Sequence, residues 1–292
     1  MTDPKGALAG KVAFITGAGS GIGRGIAERL ARDGADIFIA DVDTDGADMT
    51  ANLVTQLGRR AVVLKANVAV KAHMQNAAQQ CVAKFGRLDV AVANAGIGRA
   101  GSVLEMDLKD WQDQIDINLT GVFLTVQAAA QQMAKLGHGG RIVCISSLAA
   151  ENTSGPMFGY SATKAGVRIM VRGWAQDLGP HGITVNAIGP GVIETPLAQG
   201  LAGDAGGPIR ASLEARTPVG RVGKPADIAG LVSFMAGPDG AFMSGAYVLM
   251  DGGLRDARGS WEPNAQAMDE MARHMAAGQA RRAKMQPLLD ER

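Results

Sequence analysis

The 292-residue sequence predicts an α/β fold in a single domain: a doubly wound parallel sheet of about seven strands with helices on both faces. Three observations predict it. Short apolar runs rich in Val, Ile and Ala alternate with segments of helical period. A glycine-rich turn joins the first such run to the first helical segment. Finally, 47% hydrophobic residues and 40 glycines supply an ample core and many tight turns.

The elements follow in order. The first strand is read over 11–16, where Lys-Val-Ala-Phe-Ile is apolar without alternation, as burial on both faces requires. A helix over 22–33 follows, with Ile26, Ala27 and Leu30 on one face. The pattern repeats as strand 35–40, helix 44–57, strand 61–66, helix 71–85 and strand 88–93. A long helical stretch spans about 108–136, before strand 141–146, helix 159–178 and strands 182–188 and 246–250. Right-handed crossovers place the C-terminal ends of these strands along one edge, where such sheets bind ligands.

Thr16-Gly17-Ala18-Gly19-Ser20-Gly21-Ile22-Gly23 lies between the first strand and its helix. Small residues there let backbone N–H groups close around a pyrophosphate at the helix N-terminus, although a flexible glycine turn satisfies the same pattern. The second strand then ends in Asp41, eighteen residues after Gly23, about where a carboxylate accepts from both hydroxyls of an adenosine ribose. Its charge repels a 2′-phosphate, and neither Val42 nor Ser20 offers a cation, so NAD is favoured over NADP. The plainer reading is an acidic residue that ends a strand.

Tyr160 and Lys164 lie four residues apart on one face of the helix read over 159–178. A free phenol titrates at about pH 10. A neighbouring ammonium favours its phenolate, which makes tyrosine an acid or base nearer neutrality. Ser146 and Ser147 follow the strand that ends at Ile145, in what is otherwise a common turn.

These motifs, with Asn94-Ala95-Gly96, Asn118 and Pro190-Gly191 between and after them, stand in register over about residues 8–253. In that the chain resembles a short-chain dehydrogenase/reductase. The resemblance implies a Rossmann-like fold and assigns catalytic roles to Asn118, Ser147, Tyr160 and Lys164: Tyr160 as general acid/base, Ser147 on the substrate oxygen, Lys164 lowering the phenol pKa and bonding the nicotinamide ribose, Asn118 relaying protons through a bent helix. The spacing of thirteen residues before the tyrosine selects Ser147. It further implies cofactor contacts from Gly17, Ser20, Gly21, Ile22, Gly23 and Asp41, from Asn67 and Val68 near adenine, from Asn94 and Gly96, and from Pro190, Gly191, Ile193 and Thr195, the last holding the carboxamide. Asn67 departs from the family pattern, which has aspartate there. Asn94 also has a structural reading, as a tie between neighbouring strands.

The implied activity is NAD(H)-dependent interconversion of a secondary alcohol and a ketone. Two alternatives are reduction of a 3-oxoacyl thioester with NADPH, which Asp41 opposes, and a non-catalytic nucleotide-sensing protein, which is expected to have lost Tyr160 or Lys164. Leu148, Met157, Phe158, Leu197 and Leu201 are candidates for an apolar pocket wall, with core packing as the alternative, and the glycine-bearing stretch 197–217 for a mobile lid. Arg210 is read as solvated rather than substrate-binding.

A net charge of +1 with both signs dispersed gives no case for nucleic acid or an anionic membrane, so the partners expected are a small alcohol or ketone and, by resemblance, further copies in a homotetramer or homodimer. Cys81 and Cys144 have no metal-site spacing and read as reduced core thiols. His73, His138, His181 and His274 fall outside the motifs and read as solvated, leaving no expected metal and no serine-hydrolase base. Without an apolar signal core or a bilayer-length run, a cytoplasmic location follows by default. The expected domains are 1–253, catalytic, and 254–292, a helical extension. Within the latter, Trp261-Glu262-Pro263 marks a break and Ala265 to Met285 reads as a helix whose stripe of Met268, Met271, Ala272 and Met275 packs against the protein.

Overall fold

The computed structural model describes residues 6–153, 155–257 and 265–290. Along the chain run β1 (Val12–Thr16), α1 (Gly21–Arg32), β2 (Asp36–Asp41), α2 (Thr44–Gln56), β3 (Ala61–Lys65), α3 (Lys71–Phe85), β4 (Val90–Ala93), α4 (Leu108–Ile115), α5 (Gly121–Leu136) and β5 (Gly140–Ile145). They continue as α6 (Phe158–Leu178), β6 (Ile183–Pro190), α7 (Gln199–Ala202), α8 (Pro208–Arg216), α9 (Pro225–Ala236), β7 (Tyr247–Met250) and α10 (Ala265–Asp290). The strands pair in parallel in the order β3-β2-β1-β4-β5-β6-β7. The direction of winding reverses between β1 and β4, which opens a crevice at the carboxyl ends of the strands.

Alternation along β1 explains the two apolar layers. Val12 and Phe14 face the layer formed with α3, α5 and α6, where Met74, Val126 and Val167 are buried. Ala13 and Ile15 face the other, formed with α1, α2 and α9, where Leu30, Val54 and Val232 are buried. Because both faces are covered, all five residues of β1 are buried, as its unbroken apolar run requires. The layer on the α9 side was incomplete in the sequence reading, which assigned no element to 225–236. Pro225 at the first turn and Asp227 bonding back to the Lys224 N–H start that helix, and its spacing buries Ile228, Val232 and Met235.

The stretch read as one helix over 108–136 is α4 and α5 joined by a π turn at Asp116–Thr120. Extra-residue turns of this kind bend a helix and recur at functional positions. Cys81 and Cys144 are buried free thiols, both pushed up to about 12 by burial. Among the described residues no helix is long and apolar enough to cross a membrane.

The C-terminal helix docks on the protein by a different stripe from the one expected. Met268 and Met275 are 53% and 63% exposed, and Ala272 is exposed too. The docked face is Glu270, His274, Arg282, Gln286 and Leu289, spaced at helical intervals. Its reason is electrostatic. Arg282 forms a bidentate pair with Asp110 and Gln286 donates to Asp113, both carboxylates on α4, while Lys109 bridges Asp113 and Asp290. The expected break at Trp261-Glu262-Pro263 lies outside the described residues.

Candidate active site

The glycine turn is built by close approach. Gly17 and Gly21 adopt φ of +68° and +54°, which side chains disfavour. A Cβ on Gly23 would stand 2.2 Å from the Gly17 carbonyl oxygen and 2.5 Å from Asn94 Nδ2. Asn94 donates to the Thr16 and Gly17 carbonyls at 3.0 and 2.8 Å, so it ties β4 to the turn as its structural reading held. The Thr16 hydroxyl in turn accepts from Asn94 N–H. Ser20 stands at the start of α1 with no side-chain capping bond, and Ile22 follows, half-buried.

Asp41 closes the turn from the other side. Its Oδ2 accepts from Gly19 N–H at 2.7 Å and its Oδ1 from Asp43 N–H at 3.0 Å. Burial raises its pKa, and those backbone donors oppose the rise. Gly19 was missed in the sequence reading; the signal was its place opposite the carboxylate that ends the second strand. Arg24 also braces the turn, donating to the Gly19 carbonyl and, at 3.0 Å, to Thr50.

Past β3 the chain itself holds the Asn67 side chain. Its Nδ2 donates to the Leu289 carbonyl at 3.0 Å and its Oδ1 accepts from Ala69 N–H at 3.0 Å. The resemblance stopped at 253 and carried no information about a helix reaching this edge. Val68, buried, packs against Gly121 in the helix after the π turn.

Four side chains, Asn118 from the π turn, Ser147 from the turn after β5, and Tyr160 and Lys164 from α6, converge at the middle of the sheet edge. Asn118 is fully buried, and its amide both accepts from Ile97 N–H and donates to Ile97 C=O at 2.8 Å. Gly96 leaves room there: a Cβ on it would lie 3.2 Å from Asn118 Oδ1 and 3.4 Å from Lys164 Nζ. Lys164 is 3% exposed and donates to the Ile145 carbonyl at 2.9 Å. Burial lowers its pKa to about 8. Ser147 is placed by Tyr247, whose hydroxyl donates to its carbonyl at 2.6 Å, while its own hydroxyl accepts from Ala149 N–H.

The Tyr160 phenol departs from the expectation that Lys164 lowers its pKa. Burial raises it, and the facing Ser147 side chain opposes that rise. Lys164 Nζ stands 5.6 Å from the ring centre and is directed at the strand carbonyl.

The segment after β6 completes the edge. Pro190 ends the strand, Gly191 N–H donates to Met250 C=O, and Ile193 bridges to Gly223. The Thr195 methyl lies against Gly21, 3.2 Å from where a Cβ would sit, so this loop folds down onto the glycine turn. Met157 and Leu197 both approach Gly98, and Phe158 stacks on Trp111 at 6.1 Å; Leu148 is half-buried and the Leu201 side chain lies outside the described residues. Arg210 is not solvated: it pairs with Glu194 at 3.3 Å and donates to Ala202 C=O, fastening the segment expected to be a lid. His274, also read as solvated, has a side chain only 9% exposed.

A family model described as enoyl-(acyl carrier protein) reductase matches residues 17–255. An L-rhamnose 1-dehydrogenase (NAD(P)(+)) from Sphingomonas sp. (strain SKA58) is 40% identical over 248 residues, which are 85% of this chain and 97% of that protein. A solved short-chain type dehydrogenase/reductase from Mycobacterium marinum aligns with TM-score 0.80 and 34% identity, covering 85% of this chain and 96% of its own. The chain belongs to the short-chain dehydrogenase/reductase family. A further family structure, of 7α-hydroxysteroid dehydrogenase with NADH and 7-oxo glycochenodeoxycholic acid, aligns with TM-score 0.81 and 34% identity over 87% of this chain and 98% of that one. As a short-chain dehydrogenase/reductase the protein is an oxidoreductase acting on CH–OH groups.

Proposed function

We propose that this protein interconverts a secondary alcohol and a ketone with NAD(H), using Tyr160 as general acid/base. The observation that carries the reading is the convergence of Tyr160, Ser147, Lys164 and Asn118 on one point of the sheet edge, beside a glycine turn closed by Asp41.

The residues fit the coenzyme. Gly17, Gly19, Gly21 and Gly23 let the backbone of a turn that also carries Ser20 and Ile22 come close to its surroundings, and Asp41 keeps acceptor capacity for ribose hydroxyls. Asn94, Gly96, Pro190, Gly191, Ile193 and Thr195 line the path from that turn to the tyrosine, with Val68 and Asn67 at its adenine end. A nicotinamide coenzyme held there would supply the hydride acceptor for the carbinol carbon. In oxidation the Tyr160 phenolate takes the alcohol proton, and in reduction the phenol returns it to the ketone oxygen. Ser147 orients that oxygen, Lys164 holds the ribose, and Asn118 links the lysine to solvent protons. Since burial raises the phenol, oxidation gains from alkaline pH as the phenolate fraction grows.

Substrate class follows the relatives only in outline: the oxo-steroid bound in one of them supports a ketone or secondary alcohol of modest size. A homotetramer through α5 and α6 is supported by exposed Phe123 and Ile169 on those helices.

The test screens secondary alcohols with NAD and with NADP, following the reduced coenzyme, in the native protein and in Tyr160→Phe. Turnover with NAD is expected to fall at least about a hundredfold in the variant while NADH binding stays nearly unchanged. Equal turnover in the variant removes Tyr160 from its role. Activity confined to NADPH and 3-oxoacyl thioesters replaces this reading with the thioester one.

A further inference from the structure

Where α10 meets α8 lies a cluster that the dehydrogenase site does not use. One carboxylate oxygen each of Asp204 and Glu270 and Nε2 of His274 all lie within 4.8 Å of one another. We infer that Asp204, Glu270 and His274 form a binding site for a zinc-class divalent cation that clamps α10 to the segment 203–209.

Chemistry and geometry both point to a ligand. His274 Nε2 is buried without a hydrogen-bond partner, on a side chain only 9% exposed, and it faces both carboxylates. Glu270 is 1% exposed. A buried carboxylate repels the lone pair of the imidazole beside it and the neighbouring carboxylate at its rim unless a proton or a cation stands among them. Among the described residues no lysine or arginine forms an ion pair with either carboxylate: Arg273, exposed on α10, acts on Glu270 only at longer range, and Arg210 is engaged by Glu194 and Ala202.

The separations suit a small transition metal. His274 Nε2 lies 3.3 Å from Asp204 Oδ1 and 3.7 Å from Glu270 Oε1. Tetrahedral zinc with bonds of about 2.0–2.1 Å sets its donors roughly 3.4 Å apart. One imidazole and two carboxylates also form a nitrogen–oxygen set suited to zinc more than to magnesium, which prefers oxygen and keeps its waters.

The second shell is already in place. Asp204 N–H donates to Glu270 Oε1 at 2.6 Å and Ile209 N–H to Oε2 at 3.3 Å, which fixes the carboxylate while leaving Oε1 a further lone pair. Gly203 and Gly207 are the residues that let the loop come so near: a Cβ on either would sit 2.8–2.9 Å from a Glu270 oxygen. Asp204, exposed, leaves the outer side open to water as a remaining ligand.

The test titrates zinc chloride into chelator-treated full-length protein by calorimetry, with magnesium chloride as the comparison. One zinc per chain is expected, with no comparable magnesium binding, and the melting temperature should rise with added zinc. Asp204→Asn, an exposed change that the fold tolerates, and His274→Gln should each weaken zinc by at least about tenfold, a loss that even outer-sphere changes produce. His138→Gln should bind as the native protein does. Absence of zinc binding, in which case a protonated His274 balances the carboxylates, overturns the site. So does zinc binding that survives both Asp204→Asn and His274→Gln. Because neither readout involves turnover, this result stands or falls separately from the proposed dehydrogenase activity.

Discussion

The glycine turn after β1 and the helix α10 reach the same edge of the sheet and are held there by opposite means. In the turn, backbone meets backbone: the Gly17 carbonyl, the Asn94 amide and the Gly23 Cα lie so near that no side chain fits among them. Along α10 side chains do the holding, through Arg282 on Asp110, Arg281 on the Pro196 carbonyl, Glu270 on the start of α8 and the Leu289 carbonyl on Asn67. Close backbone packing has no slack, whereas exposed ion pairs are individually weak. The first region should therefore break under one methyl group, and the second should yield by degrees.

Gly23→Ala is the sharpest form of that contrast and carries the largest expected effect. The added methyl meets a carbonyl oxygen at 2.2 Å with backbone on both sides, so the turn must open. Loss of about 3 kcal/mol in urea unfolding is expected, at the upper end for overpacking. NADH fluorescence titration should show at least a tenfold weaker coenzyme affinity. A variant that folds and binds like the native protein would mean that the turn has slack, and the contrast would collapse.

Glu270→Gln probes the other region. The two carboxylate oxygens accept from Asp204 N–H and from Ile209 N–H in the first turn of α8, where a negative charge also favours the helix dipole; amide replacement removes the charge and turns one of the two acceptors into a donor that faces a backbone N–H. About 2 kcal/mol is expected, within the usual range for leaving one buried donor without its acceptor. Hydrogen exchange should locate it at residues 204–216, with the strands untouched. The native protein should show a related pH dependence. Its backbone donors hold the Glu270 pKa below the ordinary 4.5, against burial. The stabilisation is thus complete above that value and is lost as pH falls through the lower folded pKa. Loosening of α8 that begins well above pH 4.5 would assign it to another group.

The same contrast explains what was legible in the sequence. Glycines that must lie near backbone, an acid at the end of β2 and a tyrosine four residues before a lysine are local patterns, and each fell where it was read. The π turn at Asp116–Thr120 was not legible as such, since the apolar period of α4 and α5 runs through it and only Asn118, a poor helix former, marked the place. The burial that raises the Tyr160 phenol and lowers Lys164 was not legible, because spacing gives the lysine's distance but not the surroundings of either group. For α10, methionines at helical spacing suggested the docking face, while the partners that decide it, Asp110 and Asp113, lie more than 150 residues away.

That last reversal can itself be tested, with the smallest effect of the set. If α10 is held by its charged stripe, the methionine stripe bears little load, and Met275→Glu should change stability by less than about 0.5 kcal/mol, the usual range for exposed positions. Met275 is 63% exposed, and a glutamate there meets solvent rather than core. If the stripe instead seals an apolar contact, burying an unpaired carboxylate costs several-fold more than that. Urea unfolding of Met275→Glu beside Arg282→Ala ranks the two stripes directly: the arginine variant, which removes the bidentate partner of half-buried Asp110 and leaves it only the longer contact with Arg99 at 3.7 Å, should be the more damaging of the pair.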